Sequence, residues 1–174
     1  RVIPRLSGLI GICIALAGVS VLTGWAFDIQ PLKSVLPGLV TMKANTALAF
    51  VMAGLCLWRS RPMLDASVPG RHAWIVTMLA LMTGAIGVLS VAEYAFSRDL
   101  GIDQLLFQDT LASPGTPPGR MALMTALNFA LLAAALLLLD FETPTGKRPS
   151  HWLALVIAAN SYVAMLGYAY DVPS

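Results

Sequence analysis

Five stretches of this chain are too long and too apolar for a fold surrounded by water. Residues 6–27, 42–58, 72–96, 121–139 and 151–170 carry almost no charge. A helix needs about 17–25 such residues to cross roughly 30 Å of hydrocarbon. In lipid the backbone must satisfy its own N–H and C=O groups, which leaves helices or a closed barrel, and runs of this length select helices. Composition agrees, with 57% hydrophobic and 11% charged residues and a mean hydropathy of +0.76; a soluble domain is about 25% charged. The sequence therefore reads as an all-α, polytopic membrane helix bundle with five visible spans.

The flanks set an orientation. With the N-terminus inside, the inner segments hold seven Lys/Arg (Arg1, Arg5, Arg59, Arg61, Arg71, Lys147, Arg148) and the outer ones four (Lys33, Lys43, Arg98, Arg120), which favours a cytoplasmic N-terminus. The first apolar run, 6–25, exceeds the roughly 7–15 residues of a signal-peptide core and is followed by no Ala-x-Ala site, so it reads as a retained span. A net charge of +2 with no Lys/Arg run excludes nucleic acid as a partner. Cys13 and Cys56 fall inside apolar runs and give no disulfide signal.

Two short signatures recur. Met42-Lys43-Ala44-Asn45-Thr46-Ala47-Leu48-Ala49-Phe50 returns 79 residues later as Met121-Ala122-Leu123-Met124-Thr125-Ala126-Leu127-Asn128-Phe129, each copy after a Pro-Gly loop. The odd-numbered spans end on Trp25-Ala26-Phe27, Tyr94-Ala95-Phe96 and Tyr168-Ala169-Tyr170, at lags of 69 and 74. Self-similarity at a fixed lag marks a repeated unit. Here the unit is a membrane hairpin: 6–59, then 72–140, then the first half of a third over 151–171, with a sixth span expected beyond it.

The Met-x-x-x-Thr-Ala-Leu-x-Phe hairpins, together with Leu166-Gly167-Tyr168-Ala169-Tyr170, resemble the N-terminal membrane region of bacterial sensor proteins. In that family the membrane region precedes cytoplasmic PAS, histidine kinase or diguanylate cyclase domains. The resemblance implies an input domain in the bacterial inner membrane, working as a homodimer through the full-length protein and answering an unnamed small or lipid-soluble ligand. It assigns no ligand-binding residue. The chain itself carries no enzymatic signature, so any catalysis belongs to an effector.

Glu93 is the sharpest candidate, because carboxylates at membrane depth are rare and commonly functional. The matching positions in the other odd spans are Gly24 and Gly167, so packing of the repeat does not require it. The expected ligand site is an outer pocket between Trp25, Phe27, Tyr94 and Tyr168, with Glu93 as its charged member. Asn128 and Asn160 are expected to bond across helices or line a polar cavity. Asn45, Thr46 and Thr125 read as structural polar groups in the first turns of the even spans. His72 and His151 raise a bis-His haem, but both stand beside basic residues at an interface where His belongs, so no cofactor or metal is expected. Two other classes remain: a small structural subunit of a larger energy-transducing membrane complex, and a transporter fragment.

Overall fold

The computed structural model describes residues 2–34, 41–60, 73–109 and 117–170. Among them there is no strand, and the helices are α1 (Val2–Ala26), α2 (Gln30–Lys33), α3 (Ala44–Arg59), α4 (Ala73–Phe96), α5 (Leu123–Leu137) and α6 (Pro149–Ala169). Three carry segments long and apolar enough to cross a membrane: Leu6–Ala26, Trp74–Phe96 and Pro149–Gly167. Two more, α3 and α5, are apolar but shorter. Large apolar side chains such as Leu9, Leu16, Val88, Leu155 and Val163 are exposed, which suits lipid and not water.

Packing runs α1 on α3, α3 on α4, α4 on α5, and α5 on α6. Small residues set the approach. The stripe Gly8, Gly11, Ala15 and Gly18 is the buried side of α1. A Cβ on Gly11 would meet the Gly54 carbonyl oxygen at 2.7 Å, and one on Gly54 would meet the Gly11 oxygen at 2.5 Å. Further along, a Cβ on Gly18 would lie 2.6 Å from the Ala47 oxygen. In the second hairpin, one on Gly87 would lie 2.7 Å from the Ala126 oxygen. These contacts hold each pair antiparallel. Phe50 and Phe129 meet edge to face across the hairpins, with centroids 5.2 Å apart, and the Cys56 thiol donates to the Val76 carbonyl.

Helix ends depart from the apolar runs for local reasons. Long helices α1 and α4 both stop on a left-handed residue, Asp28 (φ 54°) and Ser97 (φ 49°). The amide just after each left-handed residue then bonds back five positions, Ile29 to the Gly24 oxygen and Arg98 to the Glu93 oxygen. That is a Schellman closure made without glycine. At the starts, Lys43 and Ala122 are extended caps, so the helices begin at Ala44 and Leu123 rather than at Met42 and Met121. The four-residue α2, set up by Pro31 near its start, was not expected within the Pro/Gly-rich loop.

Candidate functional site

The described loop segments 41–43, 97–109 and 117–122 come together at one end of the bundle and fold charged side chains inward. Glu93, one turn before the end of α4, is fully buried. Its Oε1 accepts the Leu100 amide at 2.9 Å. Arg120 lies across it. The Arg120 Nε donates to Asp103 Oδ2 at 2.7 Å and stands 3.5 Å from Glu93 Oε2. Asp103 takes a second donor, Asn45 Nδ2, at 3.1 Å. One network thus joins α3, α4, the loop after α4 and the lead into α5.

Neighbouring contacts close it. Lys43 Nζ and the Gly119 amide both donate to Asp109 Oδ2, at 2.5 and 2.9 Å. Gly119 holds φ +73°, and a Cβ there would lie 2.4 Å from the Asp103 oxygen, so only glycine lets the two loop segments approach this closely. Burial works against the Arg120 charge. The Asp103 hydrogen bond and the fields of Asp103, Glu93 and Asp99 outweigh it and hold the guanidinium above even its ordinary pKa.

Flanking aromatics serve as anchors. Trp25 Nε1 donates to the Met42 oxygen at 2.9 Å, and Tyr94 OH donates to the Met121 oxygen at 2.8 Å. A cation rests on each ring: Lys33 Nζ 4.6 Å from the Trp25 centroid, and Arg120 Cζ 5.5 Å from that of Tyr94.

The expected site residues distribute as follows. Glu93 and Tyr94 share the Arg120 network. Trp25 is buried against Val21, Ala44 and Ala47 and stacked on Phe107 of the loop after α4 at 6.2 Å, and among the described residues no ring contact joins it to Tyr94. Phe27 is exposed. Tyr168 lies in the last turn of α6, and its side chain is outside the described residues. Asn128 and Asn160 do meet: Asn160 Nδ2 donates to Asn128 Oδ1 at 3.2 Å, and Asn128 Nδ2 to Ser161 Oγ at 3.3 Å. This is an interhelical clamp at a separate place, between α5 and α6. Asn45 and Thr46 are buried, and Asn45 Oδ1 accepts the Thr46 amide at 2.7 Å. Thr125 is half-buried. His151 is exposed on α6, and His72 lies outside the described residues.

Sequence reasoning found Glu93 but missed Arg120 and Asp103 as its surroundings, and the buried Asp109 beside them in the loop. A signal existed. The residues preceding the paired anchors are Gly24 and Thr41 in the first hairpin, and Glu93 and Arg120 in the second. The second hairpin departs from the first at two matching places, and with opposite charges. Comparison of the chain with protein-family models, curated protein sequences and solved structures returns no significant match.

Proposed function

We propose that this chain is the membrane-embedded input region of a bacterial signalling protein. In this reading five helices cross the inner membrane, with the N-terminus cytoplasmic and the charged network on the outer side. They form two complete hairpins and the first half of a third, and a sixth span beyond them leads to a cytoplasmic histidine kinase or diguanylate cyclase. A ligand arriving at the outer end biases two packings of the hairpins, and the bias travels inward as a helix shift.

The observation that carries the reading is the Glu93–Arg120–Asp103–Asn45 network. It latches α3, α4 and the start of α5 at a single point reached from the loops, where a small change in charge would reposition helices. The repeat is supported by contacts that coincide at the sequence lags: Trp25 to Met42 with Tyr94 to Met121, Gly18 against Ala47 with Gly87 against Ala126, and the closures at Asp28 and Ser97. The motif pair and its family resemblance supply the signalling context.

The test is made on the natural gene product. It should have a mass well above 18.5 kDa and show ATP-dependent autophosphorylation or cyclic-dinucleotide synthesis in nanodiscs, with a basal rate altered by Arg120→Ala. A polypeptide near 18.5 kDa that co-purifies at fixed stoichiometry with other membrane subunits would replace the sensor with the structural-subunit reading. The nearly complete exposure of α6 suits that alternative equally.

A further inference from the structure

We propose that Glu93, Asp99 and Asp103 form a binding site for a hard divalent cation, Ca2+ or Mg2+, at the loop end of α4. One carboxylate oxygen from each residue lies within 4.8 Å of the other two. The site therefore gathers three carboxylates around one guanidinium. Two of the three, Glu93 and Asp103, are buried, while Asp99 is open to solvent. The carboxyl groups thus outnumber the cation that faces them.

A second observation comes from inside the bundle. The Glu93 side chain is fully buried, yet its Oε2 receives no hydrogen bond from any described residue. Arg120 is near enough to pair in charge but not to donate to it. The other buried side-chain atom without a partner among the described residues is Ser90 Oγ, one turn earlier on the same helix. Residues three apart on a helix have Cβ atoms about 5–6 Å apart. Both orphaned oxygens are thus neighbours on α4, and both would be satisfied by an ion at Oε2 carrying its own water. With Oε1 held by the Leu100 amide, Oε2 is the carboxylate oxygen left to face it.

Oxygen donors select the ion class. Carboxylates and water suit Ca2+ or Mg2+, and softer metals favour thiolate or imidazole; among the described residues the cluster contains no cysteine and no histidine. Asp99 gives the ion its way in from solvent. Once at Oε2, the ion repels the Arg120 guanidinium from Glu93 and leaves it on Asp103. Ion binding is thereby tied to the segment leading into α5. In this respect the inference rests on the proposed sensory role and names its ligand, while the binding itself is measured without an effector.

The chain, stripped with chelator and placed in nanodiscs of zwitterionic lipid, is titrated calorimetrically with CaCl2 and MgCl2. Tb3+ luminescence sensitised through Tyr94 gives an independent reading. One ion per chain should bind, with a Kd of about 10⁻⁴–10⁻³ M, as in extracellular Ca2+ modules. Glu93→Gln should abolish binding. Asp99→Asn is the decisive variant, because Asp99 is exposed and, among the described residues, its carboxylate accepts only the Gly101 amide, at 2.8 Å, which an asparagine oxygen can also take. It should weaken binding at least about tenfold and leave the metal-free unfolding temperature unchanged. The proposal is overturned by the absence of saturable binding at about ten times that concentration range, or by binding that Asp99→Asn leaves intact. Specific binding with an effector indifferent to the ion would uphold the site and remove the sensory reading.

Discussion

The single residue on which most depends is Arg120, since Glu93 and Asp103 are buried with it. Arg120→Ala leaves two carboxylates without their cation, a loss that costs about 3–5 kcal/mol in buried pairs. The expected result is a large drop in resistance to denaturation in mixed micelles. Arg120→Lys should recover only part of it, because a compact ammonium cannot reproduce the Nε contact with Asp103 while lying over the Tyr94 ring. Trp25→Phe and Tyr94→Phe each delete one hydrogen bond to a methionine carbonyl, so both should cost about 0.5–1.5 kcal/mol. Similar losses are expected if the two hairpins are equivalent units, and a clearly unequal pair would count against that equivalence. Glu93 was legible in the sequence because a carboxylate in an apolar run stands out. Its cation was not, since the residues between 93 and 120 read as solvated loop, and only the folded chain brings their charges back to the helix end.

At the scale of elements, close approach matters more than side-chain bulk. Gly11 and Gly54 face each other backbone to backbone, so neither helix can yield to an added methyl. Gly54→Ala should destabilise by about 1–3 kcal/mol, as overpacking does, readable as a lower midpoint in SDS titration. Between α5 and α6, a double-mutant cycle on Asn128→Ala and Asn160→Ala should return a coupling near 0.6 kcal/mol, the average for polar contacts between membrane helices. The helices themselves were legible from uninterrupted apolar length, and the glycine stripe of α1 from its spacing. The true starts of α3 and α5 were not. Met42 and Met121 are apolar and look helical, but each offers its carbonyl to a distant aromatic donor and stands before an extended cap. The shared pocket expected between the odd-helix aromatics was drawn from their common position at helix ends. That position says nothing about which rings turn inward, and Trp25 and Phe27, two residues apart, end on opposite sides of the divide.

For the whole molecule, the order α1–α3–α4–α5–α6 leaves α6 as the margin of the bundle, packed among the described residues chiefly against α5. Orientation is tested by single cysteines in a background lacking Cys13 and Cys56. Gln104→Cys, in the loop after α4, should react with an impermeant maleimide in intact cells. Thr145→Cys, in the turn before α6, should react only after permeabilisation. The reverse pattern would invert the proposed topology and put the acidic cluster in the cytoplasm.

The paired helices of the two hairpins are also of two lengths. At 1.5 Å per residue, the 25 residues of α1 and 24 of α4 extend about 36–38 Å, whereas the 16 of α3 and 15 of α5 reach only about 22–24 Å. A hydrocarbon layer of about 30 Å is too thin for one set and too thick for the other. Bilayer thinning on the α3/α5 side and tilting of α1 and α4 would relieve the mismatch, at fractions of a kcal/mol per ångström. The latch between Glu93 and Arg120 sits where the long and short helices meet, so the strain falls on it. Reconstituted in lipids of increasing acyl length, the protein should therefore behave as a thickness gauge, with the solvent accessibility of a probe at position 99 changing steadily as the chains lengthen. Accessibility that stays flat across the series would show that the surrounding lipid does not load the latch.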